Sequence, residues 1–375
     1  MKSSEDAQAS VIILTVIRTL RTLLGLALFV FSGYFAPVVT AQTAKPPTES
    51  ILPGPKPPDA PLEWKQLVGI YGLTGAKEAS VVLERDRHLY LLRSPKDRVE
   101  LIQKDGNLFP LEGTGPNVIY TVWHDDNGIL HFGYLTEIYA REDAGSDPTH
   151  FYHVTPTQPV AELREKALKL SPPQEPGPFR NADLVELVTL NPAIHLDIRY
   201  ASAKNFLSTP VYTQARAFMQ QPAAEALVRV VHKLHPLGYG LLIHDAYRPW
   251  YVTKIFWDAT PPEGKIFVAN PQEGSKHNRG CAVDLTLYDL ATGKAIEMPG
   301  LYDEMSPRSF PNFPGGTSLQ RWHRDLLRRA MESEGFAVNE DEWWHFDYKD
   351  WKQYGILNVL FERLAVSPQP TAVSH

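Results

Sequence analysis

Ser275-Lys276-His277-Asn278-Arg279-Gly280-Cys281-Ala282-Val283-Asp284 is the stretch from which the rest of the chain can be read. An imidazole and a carboxylate stand seven residues apart with a glycine between them. They converge if a tight turn delivers His277 and the apolar strand Ala282–Tyr288 delivers Asp284. Helical periodicity at Ala223–His235 and Leu319–Ser333 alternates with apolar strands at Tyr239–His244 and Trp343–Tyr348. The mixture predicts an α+β domain with a mixed or antiparallel sheet.

Two further segments carry chemistry. Glu342-Trp343-Trp344-His345-Phe346 sets a carboxylate and an imidazole three apart, and His244-Asp245-Ala246-Tyr247-Arg248-Pro249 puts an arginine just past an apolar strand. Catalytic zinc takes three protein ligands and keeps a fourth position for water. His277, Asp284 and His345 supply two imidazoles and a carboxylate, a donor set for one Zn2+ per domain that would lower the pKa of its water. Glu342 is then available as general base and acid. Arg248 can face a developing oxyanion with a charge it cannot lose. The tryptophan pair would wall the site. The helix-borne His-Glu-x-x-His signature is absent.

Together these segments resemble the zinc D,D-peptidases that share a Ser-x-His-x-x-Gly-x-Ala-x-Asp motif. More narrowly they resemble the D-alanyl-D-alanine dipeptidase family, which includes the vancomycin-resistance dipeptidases. Leu196-Asp197-Ile198-Arg199-Tyr200-Ala201 with Asn205-Phe206 matches an entry motif of that family, and the likeness runs from about 180 to 355. It implies zinc ligands at His277, Asp284 and His345, a base at Glu342 and a transition-state arginine at Arg248. It also implies that Tyr200 and Ser275 hold the ends of the dipeptide and that Asp303 meets its ammonium. Met298-Pro299-Gly300-Leu301 stands where the family has Met-Gly, which predicts a reshaped loop. Cys281, between the ligands, reads as core filler.

The 375 residues carry 37 Lys and Arg against 43 Asp and Glu, a net charge of −6, which argues against a nucleic-acid partner. One cysteine excludes an intrachain disulfide and a cysteine-rich zinc site. Arg18 and Arg21 precede the apolar run Leu23–Phe31, and Val39-Thr40-Ala41 offers small residues for cleavage. Residues 1–41 therefore read as a signal peptide or as an uncleaved membrane anchor. Either reading places the protein in the periplasm or anchored facing it, with membrane contact only through that segment. Residues 42–61, with seven prolines, read as a stiff linker. Residues 62–155 read as a small all-β, barrel-like domain of short strands, weakly similar to modules appended to some secreted hydrolases. His124 and His131 there read as surface or packing residues. Residues 156–180 read as a helix followed by a Pro-rich connector, 181–363 as the peptidase domain and 364–375 as a tail.

The expected activity is zinc-dependent hydrolysis of D-Ala-D-Ala in wall-peptide metabolism. Two alternatives remain at this stage. One is a D,D-carboxypeptidase acting on muropeptides. The other is a non-enzymatic wall-binding protein that keeps zinc as structure.

Overall fold

The computed structural model describes residues 51–364, apart from 74, 77, 112–117 and 144–152. The expected leader, the first half of the Pro-rich stretch and the tail beyond 364 lie outside the described residues.

A short helix, α1 (Leu62–Leu67), leads into eight antiparallel strands. These are β1 (Gly69–Leu73), β2 (Ser80–Arg85), β3 (His88–Ser94), β4 (Asp97–Lys104), β5 (Asn107–Pro110), β6 (Thr121–His124), β7 (Leu130–Tyr134) and β8 (Glu137–Arg141). Their order is β5-β4-β3-β2-β1-β8-β7-β6. Two-residue turns join β2 to β3 and β4 to β5, and Asp86, Arg87, Asp105 and Gly106 all adopt the positive φ such hairpins need. Leu108 and Tyr120 exchange both backbone hydrogen bonds, at 2.9 and 2.8 Å, so the two edge strands meet and the sheet nearly closes. Tyr71, Tyr120, Phe132 and Tyr139 fill the interior, with Phe132 stacked on Tyr139 at 4.6 Å.

The peptidase region is built on a five-stranded sheet of order β10-β12-β13-β15-β14. The strands are β10 (Ile194–Leu196), β12 (Tyr239–Asp245), β13 (Ala282–Asp289), β14 (Phe336–Val338) and β15 (His345–Tyr348), with β9 (Leu184–Glu186) and β11 (Phe218–Gln220) forming a separate ribbon. β10 runs parallel to β12, and the other pairs are antiparallel. Helix α3 (Gln221–Leu234) buries Ala223, Ala224, Leu227, Val230, Val231 and Leu234, a stripe at helical spacing that faces the core. Helix α5 (Ser318–Glu332) begins in a capping box, where Thr317 Oγ1 accepts Gln320 N–H at 3.1 Å and Gln320 Oε1 accepts Thr317 N–H at 2.8 Å. α4 (Trp250–Ala259) follows the arginine segment.

Two stretches read as connectors are parts of the body. Helix α2 (Val160–Ala167) buries Val160, Leu163 and Ala167 in the peptidase core. In the Pro-rich run after it, the Glu175 carboxylate accepts Arg279 Nη2 at 2.5 Å and Ile356 N–H at 2.8 Å. The described half of the first linker is likewise a strap. Trp322 Nε1 donates to Gly54 O at 3.0 Å, and Lys56 Nζ donates to the Tyr239 hydroxyl at 2.7 Å. Proline fixes the extended geometry that a strap laid along a helix requires.

Candidate metal centre

Lys276–Arg279 is a single 3-10 turn, capped at its start by Ser275 Oγ, which accepts His277 N–H at 3.2 Å. It ends at Gly280, whose φ of 68° is left-handed. A Cβ there would lie 2.5 Å from Leu184 Cδ2, which would have to shift, but it is the left-handed φ that calls for glycine. The chain then enters β13. The turn delivers His277 and the strand delivers Asp284, as the spacing predicts.

Strand register supplies the rest. Asp245 pairs with Asp284, and Asp284 pairs with His345, so three polar residues stand abreast on β12, β13 and β15. Directly opposed residues share a face of the sheet. A bulge between Ile243 and Asp245 offsets the end of β12.

His277 Nδ1 lies 2.7 Å from the Ala246 carbonyl, and His345 Nε2 lies 2.9 Å from Asp347 Oδ1. Each contact takes a ring proton and assigns the tautomer, leaving His277 Nε2 and His345 Nδ1 as lone pairs. Those two atoms are 3.1 Å apart, and they lie 3.3 and 2.9 Å from Asp284 Oδ1. Three ligands about 2.1 Å from one zinc ion at tetrahedral angles lie about 3.4 Å from one another. Asp284 Oδ2 accepts the Tyr302 hydroxyl at 3.1 Å, whereas buried Oδ1 accepts no hydrogen bond while both imidazoles are neutral. An anionic oxygen orphaned beside two lone pairs is what a bound cation satisfies. The residues present therefore fit a divalent ion. Among the described residues this is the one His/Cys/Asp/Glu group whose ligand atoms converge.

Asp284 also calls for positive charge beside it: burial alone would raise its carboxyl, but positive charge on the His277 and His345 side outweighs burial and holds it well below the usual carboxylate range.

Glu342 stands beside the triangle. Its Oε2 is 3.6 Å from His345 Nδ1 and accepts Asn339 Nδ2 at 3.1 Å. Burial and then the Asp284 charge raise its carboxyl, against the pull of His345, His277 and Arg248. Arg248 lies on the other flank, with Nη2 3.9 Å from Asp284 Oδ2. Asp245 Oδ2 anchors it, accepting Nε at 2.9 Å and Nη2 at 2.7 Å, and Phe256 and Tyr200 pack on the guanidinium. The Tyr200 hydroxyl donates to Asp303 Oδ2 at 3.0 Å. Burial and the Glu342 and Asp284 charges push the Asp303 carboxyl up to about 7. Ser275 has a visible role as cap of the ligand turn. Cys281 is fully buried, and burial pushes its thiol up to about 12, as befits core filler.

A family model described as D-Ala-D-Ala dipeptidase matches residues 180–362. The D-alanyl-D-alanine dipeptidase of Escherichia coli is 34% identical over 192 residues, covering 51% of this chain and 97% of its own length. Those of Enterococcus faecalis and Streptomyces coelicolor are each 34% identical, over 42% and 46% of this chain and 87% and 93% of theirs. The chain belongs to the D-alanyl-D-alanine dipeptidase family. It is a metallopeptidase whose near-closed barrel, β1 to β8, lies outside the family match.

Several residues of this dipeptidase-family site escaped the sequence reading. Asp347 sits two after His345 on one strand, so both side chains face the same way, and His-x-Asp on a strand was the available signal. Asp245 lay inside a motif already recognised. Tyr302 carried no signal, since a tyrosine beside an aspartate is common. The Trp343 and Trp344 pair is buried in the core, with Trp344 edge-on to Tyr302 at 5.6 Å. His244 is buried and stacks on Tyr302 at 4.5 Å.

Proposed function

We propose that this enzyme hydrolyses D-Ala-D-Ala to two molecules of D-alanine, using one zinc ion held by His277, Asp284 and His345. The observation that carries the reading is the triangle of lone-pair atoms with Glu342 Oε2 3.6 Å from one corner. When bound, zinc would supply Lewis acidity at the scissile carbonyl and lower the pKa of the attacking water.

The protein's own groups do the rest. Glu342 takes a proton from the attacking water as the new C–O bond forms. Its raised pKa suits a group that must then carry that proton and give it to the departing nitrogen as the C–N bond breaks. Arg248, locked by Asp245, presents fixed positive charge to the developing oxyanion and needs no reorganisation to do so. Asp303 receives the substrate ammonium with Tyr200 beside it, and Ser275 stands at the other end of the dipeptide.

Residues 1–41 support a further proposal, that the enzyme acts after export on wall-derived peptides. Fractionation of cells carrying the full chain tests this, and retention in the cytoplasm would refute it.

The activity is tested with zinc-replete enzyme on free D-Ala-D-Ala and on an N-acylated pentapeptide ending in the same pair. Release of D-alanine from the free dipeptide alone is expected. Equal turnover of the acylated peptide would instead identify a D,D-carboxypeptidase, and turnover of neither would overturn the reading.

A further inference from the structure

The segment that carries Asp303 is held from behind by the barrel. Asp143, just past β8, has its carboxylate fixed within the barrel, accepting Ile70 N–H at 3.0 Å and Arg141 Nε at 2.7 Å. The same Asp143 pairs with Arg308 Nη1 at 3.0 Å, and the two side chains are only 2% and 4% exposed. This is a buried ion pair across the junction between barrel and peptidase.

Arg308 in turn closes a ring of chain. Its Nε donates to Pro299 O at 3.0 Å and lies 3.4 Å from Glu304 Oε2. Glu304 ties the same stretch, accepting Leu301 N–H at 2.8 Å and Ser306 Oγ at 2.7 Å. Gly300 passes so near that a Cβ would lie 2.4 Å from the Arg308 carbonyl. The far side of this ring presents Tyr302, bonded to Asp284, and Asp303, bonded to Tyr200. Asp303 has a φ of 60°, a left-handed turn conformation that aspartate adopts more readily than most residues. The barrel also grips the chain beyond the ring, where Glu84 accepts Ser318 N–H at 2.6 Å and its own N–H donates to Gly316 O at 3.2 Å.

The barrel lies outside the family match at 180–362, whereas the ring it grips, from Pro299 to Arg308, lies inside it. We propose that the barrel is a positioning domain for the substrate-end loop: Asp143, acting through Arg308, holds Tyr302 and Asp303 where the dipeptide's ammonium is received. Asp143 and Arg308 are positioning residues that touch no substrate, and the inference rests on Asp303 being the ammonium's partner.

The test uses the full-length, zinc-loaded enzyme with Asp143→Asn and Asp303→Asn, comparing free and N-acetylated D-Ala-D-Ala. For Asp143→Asn the expected result is a KM raised about fivefold or more with kcat within about twofold. Zinc content should be unchanged and the preference for the free ammonium reduced. A merely structural role would lower the melting temperature and leave both KM and that preference in place, which would overturn the proposal. If Asp303→Asn raises KM and Asp143→Asn does not, the coupling is wrong while the ammonium reading stands. If Asp303→Asn changes neither KM nor preference, the ammonium reading fails and the inference falls with it. Should Asp143→Asn not fold, Arg308→Lys keeps the buried charge but cannot reach both Asp143 and Pro299 O, and the same KM shift is expected of it.

Discussion

Asp284 Oδ1 lies 2.9 Å from His345 Nδ1, across directly paired positions of two antiparallel strands. Strand register brings these two atoms together. Removing the ion should therefore leave like-oriented lone pairs crowded in a buried space. Chelation is expected to lower the melting temperature of the folded enzyme. Adding zinc back should raise it progressively with concentration, as any ligand specific to the native state must. Because protons compete for the same imidazoles, the zinc concentration needed should rise as pH falls. Differential scanning fluorimetry across a zinc series reads this out, and a melting temperature indifferent to zinc would refute the site.

Glu342 and Arg248 flank the triangle without belonging to it. Glu342→Gln should keep zinc stoichiometry and lower kcat by about 10²–10⁴-fold, the usual worth of a positioned general acid–base group. Arg248→Lys should also cut kcat, since an ammonium cannot keep both contacts to Asp245 and still face the substrate. Steady-state kinetics with metal analysis separates loss of chemistry from loss of metal. A Glu342→Gln enzyme with normal turnover would remove glutamate from the mechanism.

Asp347 touches neither metal nor substrate. It holds His345 Nε2 at 2.9 Å and is itself paired with Lys276 Nζ at 2.6 Å. Asp347→Asn can turn its amide to accept the same proton but loses the charge that makes His345 a stronger donor. Zinc affinity is expected to fall by about 10–100-fold. Competition with a chromogenic chelator measures this, and unchanged affinity would mean that the tautomer is set without Asp347.

What the sequence made legible follows physical lines. The ligand turn was readable because His277, Gly280 and Asp284 encode a local geometry within ten residues. The abreast placement of Asp245 and His345 was not, because register is a property of three strands far apart in the chain. In the barrel, Val, Leu and Tyr give β2, β3 and β4 a strand composition, whereas β1 carries two glycines and β8 is flanked by charges, although both complete the sheet. Proline misled most. The runs at 51–61 and 171–178 looked like spacers, yet their stiffness lets them lie along the body and be pinned by Trp322 and Arg279.

The strap also implies an acid sensitivity. His323 is buried, and its Nε2 accepts the Tyr239 hydroxyl at 3.0 Å, while that hydroxyl accepts Lys56 Nζ at 2.7 Å. Burial and the Lys56 charge, partly offset by Asp59, pull the His323 pKa down to about 4. The unfolded chain, with its histidine near the usual value of about 6.5, takes up this proton first as pH falls. Stability is therefore intact above about pH 6.5 and drains away towards pH 4, by on the order of 3 kcal/mol for this residue. His244, lowered to about 4 by burial and Arg199, adds a loss of the same sign. His323→Gln keeps an acceptor for Tyr239 and removes one titration. Urea midpoints at pH 7 and pH 5 should therefore lie closer together in the variant than in the natural protein, and equal spacing in the two proteins would show that His323 does not carry the effect.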